Sequence, residues 1–240
     1  MIKFFRKIRH RLLTENKFSK YFLYAIGEIA LVVIGILIAL NINNWSTKKN
    51  NELKEKEALV EIFQGLKSDN EQLNQIYIQE REVIRIIDSL NMEFKQRGRF
   101  SIDSLQVYLG KALVGERTIF VTTPYDVLVS SGIGLIQDKE IRYDIAEYYG
   151  RSVPDLESDG YDLFQQWYDA ILPIIQKEAD YWVLGKTLVP YSMDSIFEND
   201  ELFQILKTNR DNHHHMELNS KKMLFKNEQL MNKIEPKIQK

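Results

Sequence analysis

The chain has 240 residues, no cysteine, and 32 Lys/Arg against 34 Asp/Glu, a formal net charge of −2. Without cysteine there is no disulfide framework, no thiolate metal site and no cysteine nucleophile. The charge is polarised: residues 1–20 carry seven Lys/Arg against Glu15, which leaves 25 basic and 33 acidic residues beyond position 20. The length allows one membrane helix and one soluble domain of about 190 residues, enough to bury a core.

Residues 2–13, IKFFRKIRHRLL, place Phe5, Ile8 and Leu12 on one helical face among basic residues. That pattern suits a short amphipathic helix on an anionic inner leaflet, and equally a plain positive segment with incidental apolar residues. In either case the charges face lipid, and nucleic acid is not an expected partner. Tyr21 to Ile42 is apolar almost throughout, interrupted by Glu28. At about 1.5 Å rise per residue such a stretch crosses a hydrocarbon core of about 30 Å once. An acidic residue near the centre costs about 2.5–3.5 kcal/mol, and the thirteen Leu, Ile, Phe and Val residues return about 0.3–0.6 kcal/mol each, so insertion wins.

Gly35 and Ala39 follow Glu28 by seven and eleven residues, so at 100° per residue the three share one stripe. One reading makes the stripe a helix-association face, with small residues allowing close approach and a neutral carboxyl bonding to a partner helix. The other has Glu28 sitting shallow or bonded to Tyr24, with Gly35 and Ala39 as ordinary small residues of a membrane helix. Seven Lys/Arg precede the span and four follow it closely (Lys48, Lys49, Lys54, Lys56). The positive-inside tendency then keeps the N-terminus cytoplasmic, and no A-x-A-like site follows the apolar stretch, so an uncleaved signal anchor is expected. Trp45 falls where an interfacial aromatic anchors the exit.

From Lys48 to Arg97 apolar residues recur at helical spacing without a proline, in a row broken at Asn70 and Glu80 and ended by Gly98. The opening through YAIGE and the INNW exit, together with Pro124–Leu128, Ser131-Gly132 and Tyr148-Tyr149 further on, resembles a family of uncharacterised single-span membrane proteins of Bacteroidota, a DUF6090-like domain of unknown function. Ser46-Thr47 departs from the polar Asn-acidic step of that family's exit. The resemblance implies a Gram-negative envelope and brings no activity, substrate or catalytic residue.

Further along, Ser101 is suited to cap a helix over Ile102 to Val114, and residues 118–123, TIFVTT, read as an extended link. A short helix over Tyr125 to Val129 stops at Gly132. Gly132-Ile133-Gly134 lacks the third glycine and the lysine of a phosphate loop. Asp138 to Gly150 reads as a helix. Pro154 opens another, which Pro173 kinks or divides and which continues through Trp182 and Val183. Trp167, Tyr168 and Trp182 belong to an aromatic cluster that is either packed core or the lining of a pocket. A loop containing Pro190 precedes helices over Glu201 to Asn209 and from Met216 onward. His213-His214-His215 then fall at a polar junction and lack the spacing of a zinc site.

The expected architecture is all-α: a basic cytoplasmic segment (1–20), a transmembrane helix (21–42), and a helical extracytoplasmic domain (43–240) in which a long helix leads into a helical bundle. Residues, spacing and resemblance suggest no enzyme, metal or cofactor. The expected function is a membrane-anchored interaction or scaffold protein of the inner membrane with its C-terminal domain in the periplasm, associating with itself or with another envelope membrane protein. The alternative is a sensor-like domain that binds a small molecule and signals through a membrane partner.

Overall fold

The computed structural model describes residues 18–115 and 117–239. The reading of residues 2–13 as an amphipathic helix, and of the Tyr24 side chain as a partner of Glu28, falls outside what is described. Two compact units divide the chain, residues 1–54 and 55–240.

In the first unit every described residue is helical, as part of α1 (Phe18–Lys95). It is the one helix among the described residues that is long and apolar enough to cross a membrane, with a mean hydropathy of 2.5 over its best 18-residue window and none of that window buried. Leu, Ile and Val from Ile29 to Ile42 are exposed on every side of the helix. A helix that is apolar all round and has no core to enter is a candidate membrane span by length and composition.

The second unit is mostly helical. After α1 come α2 (Ile102–Ala112) and α3 (Thr123–Ser131). A 3-10 turn (Ile133–Leu135) then leads to α4 (Lys139–Glu147). Ser101 caps α2 by accepting from the Ser104 amide. Asp138 caps α4 by accepting from the amides of Glu140 and Ile141. At the end of α3, Gly132 adopts φ +97°, a left-handed conformation that glycine takes without a Cβ penalty, and the helix stops there. Residues 117–122 carry no regular structure, in keeping with an extended link.

Pro154 and Pro173 each stand in the first turn of an α-segment, as expected, but the chain before each segment does not leave the helix. Helical residues run unbroken from Lys139 to Glu178, as α4, α5 (Val153–Gln166) and α6 (Leu172–Glu178) joined by two π-turns, Tyr148–Ser152 and Trp167–Ile171. The amide just before each proline reaches five residues back, Val153 to the Tyr148 carbonyl and Leu172 to the Trp167 carbonyl. The wider turn makes room for a ring that an α-helix would force against the carbonyl four residues earlier.

The all-α expectation also needs correcting past residue 178. Ala179–Val183 is a strand, β1, paired antiparallel with β2 (Thr187–Pro190), with Trp182 opposite Leu188. Trp182 and Val183 therefore do not continue a helix, and Pro190 ends a strand where a loop was expected. The short α7 (Met193–Phe197) follows. The last helix, α8 (Asp200–Ile238), is continuous through the three histidines, so the junction expected at His213 does not exist.

Two apolar cores hold this unit. The first joins Leu59, Ile62, Leu66 and Leu73 of α1 to Ile145, Tyr148 and Leu156, and to Met216, Met223 and Leu230 of α8. The second joins Ile87 and Leu90 of α1 to Leu109, Ile171, Leu188, Leu202 and Leu206. Between Leu73 and Ile86 no residue of α1 is fully buried.

Candidate ligand cleft

That uncovered stretch of α1 forms one wall of a cleft of about 430 Å³. Gln72, Gln75, Ile76, Gln79, Glu80 and Val83 recur at three- and four-residue spacing and so share one helix face. Opposite them stand Leu163, His213 and Met216, and Lys111, Val114, Gly115, Arg117 and Thr118 close the side. The volume is that of a small-molecule site.

The main polar feature of the cleft is a histidine held by a carboxylate. His213 is only 4% exposed, and its Nδ1 lies 2.5 Å from Oε2 of Glu80. The two atoms share one proton in this hydrogen bond. The second ring nitrogen, Nε2, is enclosed and has no hydrogen-bond partner. α8 is fastened to α1 on both sides of this pair. Arg210 donates from Nε to Asp88 at 2.8 Å, and Asn227 accepts from Asn70 at 3.0 Å and donates to the Leu66 carbonyl at 2.9 Å. Of the cleft's two side-chain cations, Lys111 is taken by Glu82 at 2.6 Å. The Arg117 guanidinium stands 5.7 and 5.9 Å from the ring centres of Tyr161 and Phe164.

The expected aromatic pocket residues stand elsewhere. Trp167 and Trp182 approach each other with ring centres 6.1 Å apart, and Tyr168 is 57% exposed. None of the three lines the cleft. Trp167 supports the cleft from behind: its indole donates to the Leu113 carbonyl at 3.2 Å, and its Cβ and Cγ lie where a side chain on Gly115 would have to go. In the candidate span, Gly35 and Ala39 are exposed and Glu28 is half-buried. Trp45 is exposed, with the Lys49 ammonium 5.4 Å above its ring.

A second buried polar cluster lies in the first core. Asp69 is 2% exposed and accepts from the Tyr148 hydroxyl at 3.2 Å, which in turn accepts from Asn227 at 3.0 Å. Burial pushes the Asp69 carboxyl up to about 6. The Tyr148 hydrogen bond offsets part of that rise, as does the Tyr149 hydroxyl, which lies near the carboxylate but outside hydrogen-bond geometry. Burial, together with the charge on Asp69, pushes both tyrosines well above the usual phenol range.

Residues 28–206 match the model of a family of unknown function, DUF6090. The chain belongs to this family. No curated protein and no solved structure matches it. The family match takes in Glu28 and Glu80 and ends before His213, so in this DUF6090 member the cleft draws on α8 residues beyond the matched region.

In the sequence Asp69 carries no signal, while Glu80 stands out only as a break in the apolar row and His213 only as one of three histidines at an expected polar junction. What signal there was lay in the two breaks of the apolar row on α1: Asn70 faces Asn227, and Glu80 faces His213. On α8 the buried face runs through Leu202, Leu206, Asn209, His213, Met216, Ser220, Met223, Asn227, Leu230 and Ile234. Four polar residues in that period read as an interrupted helix, although it is one helix with polar partners across the core. Among the described residues no group of three or more His, Cys, Asp or Glu is arranged to hold a metal.

Proposed function

We propose that this protein is a single-pass receptor of the cell envelope. The N-terminus is cytoplasmic, residues 21–42 cross the inner membrane as an uncleaved signal anchor, and residues 43–240 form a periplasmic helical bundle that binds a small polar molecule. The observation that carries the binding role is the cleft itself, about 430 Å³ and lined by one face of α1 and by His213, whose Nδ1 is held by Glu80. Protein interiors are close-packed, so a concave, partly polar gap of this size is a natural place for a small molecule. The exposed apolar helix and the basic flank at its start support the membrane half.

The full chain in lipid nanodiscs, labelled on its methionine methyls, provides the test, because Met216 lines the cleft and exposed Met92 does not. A small-molecule extract of bacterial periplasm is expected to shift the Met216 resonance and leave Met92 in place. If the Met216 signal does not move, the binding role is refuted. A reporter fused to the C-terminus that is active only outside the cytoplasm checks the topology.

The scaffold reading rests on the stripe of Glu28, Gly35 and Ala39 as a surface for self-association or for another envelope membrane protein. It is favoured by the open space around Gly35, where an added Cβ would meet nothing within 4 Å. Crosslinking in native membranes separates the possibilities: Glu28→Leu should lose a partner or an oligomer band that the wild type shows. Identical bands in both would remove the carboxyl from association.

A further inference from the structure

We propose that Asp69 is a proton-operated latch: protonated, it holds the π-turn Tyr148–Ser152 and the C-terminal half of α8 closed against α1, and ionised, it lets the π-turn open. The device belongs to the first core and needs no ligand in the cleft.

Three elements meet at this side chain through one run of hydrogen bonds. Tyr148 donates to Oδ2 of Asp69 at 3.2 Å. Asn227 of α8 donates to the Tyr148 hydroxyl at 3.0 Å and to the Leu66 carbonyl of α1 at 2.9 Å, and it accepts from Asn70 at 3.0 Å. The carboxyl therefore ends a polar seam that aligns α1, the π-turn and α8. Packing beside the seam is tight. The Tyr149 hydroxyl stands 2.9 Å from where a Cβ on Gly65 would be, and the Tyr149 ring stacks on Tyr125 of α3 with centres 5.3 Å apart.

The groups that face the carboxyl are neutral: Tyr148 and Tyr149 from the π-turn, with Tyr125 behind them, and Asn227 from α8. The neighbouring charges are engaged elsewhere. Lys67 of α1 lies over the Phe63 ring, Lys226 of α8 pairs with Glu147, Lys233 pairs with Glu140 and Asp144, and Asp155 of α5 pairs with Arg151. Among the described residues no cation reaches Asp69. An ionised carboxylate that is 2% exposed thus lacks both water and a counter-charge, which is costly. It recovers hydration only when the tyrosines lift away from α1. A protonated carboxyl carries no such penalty, and its O–H has a neighbour still without a partner, the enclosed Tyr149 hydroxyl.

Closed, the carboxyl holds its proton up to about 6; exposed by opening, it returns to the ordinary 3.8. The closed form is the better proton acceptor, so closure is strongest at low pH and weakens as pH rises through about 6. These two values make opening about tenfold more frequent at pH 7.5 than at pH 5.

Hydrogen exchange of the full chain in lipid nanodiscs tests the latch, read by mass spectrometry between pH 5 and pH 7.5 and corrected for the intrinsic pH dependence of amide exchange. The wild-type segment Tyr148–Ser152 is expected to lose about tenfold of its protection across that range, while Leu202–Leu206 in the second core keeps its own. Asp69→Asn, which retains an acceptor for Tyr148 and cannot ionise, is expected to show no such loss. Tyr148→Phe removes the donor that favours the ionised form, so the midpoint of the loss should move to higher pH. Protection that is independent of pH in the wild type, an Asp69→Asn segment that loses as much as the wild type, or an equal loss in both cores would overturn the proposal. If Asp69→Asn does not fold, Tyr148→Phe decides: a midpoint that stays in place overturns the latch.

Discussion

The Asp69 carboxylate is buried against Tyr148 within the first core, and its folded-state value of about 6 lies above the ordinary 3.8. The folded protein therefore holds this proton more tightly than the unfolded chain does. The associated stability is fully present below pH 3.8 and is lost as pH rises through about 6. At 1.36 kcal/mol per unit, ionised Asp69 costs the fold about 1 kcal/mol at pH 4.5 and on the order of 3 kcal/mol at pH 7.5. Asp69→Asn keeps the shape and the acceptor for Tyr148 while removing the titration. Urea unfolding of the full chain in nanodiscs, followed by tryptophan fluorescence at both pH values, gives the difference between variant and wild type, and other titrating groups cancel in it. The variant should gain about 2 kcal/mol on the wild type between pH 4.5 and pH 7.5. Curves that stay parallel within about 0.5 kcal/mol would refute the burial argument, that being the size of an ordinary surface substitution.

Two further substitutions probe local geometry. Asp138 caps α4 and accepts from Lys237, and hydrogen bonds from Lys237 and from the Ile141 amide hold its carboxyl below the ordinary carboxylate range. Asp138→Ala should cost about 1 kcal/mol by urea unfolding at neutral pH. That loss should shrink as pH falls through the carboxylate range, because a lowered value confers stability only while the group is ionised. Gly115→Ala drives a methyl into the Cβ and Cγ of Trp167; it should destabilise by about 1–3 kcal/mol, as overpacking does, and blue- or red-shift the tryptophan emission. An unchanged midpoint would mean that the Leu113–Arg117 side of the cleft yields freely.

The membrane candidate, the capped start of α2 and the stop at Gly132 were legible in the residues because each depends on its immediate neighbours. Continuous hydropathy from Tyr21 to Ile42 marks a candidate span whatever the rest of the chain does. A serine oxygen reaches an amide three residues on, and a glycine ends a helix through its own φ angle. The elements that misled were those whose conformation is set from a distance. Ala179–Val183 carries aromatic and branched residues that favour a strand, but a run of five directly after a helix does not declare itself until pairing with Thr187–Pro190 decides for the strand. Pro154 and Pro173 carry the usual breaker signal, but packing keeps the helix whole and the chain accommodates each ring with a π-turn.

The candidate site depends on distance most of all. Glu80 and His213 are 133 residues apart, and each taken alone is a polar residue interrupting an apolar pattern. Only the antiparallel course of α8 along α1, with Asn227 at Asn70, His213 at Glu80 and Arg210 at Asp88, turns those interruptions into partners. The sequence by itself determined that this protein has a helix fit for a membrane, because hydropathy is a local sum. The tertiary structure alone decided that it has a cleft, because a cleft exists only where distant elements face each other without closing the gap.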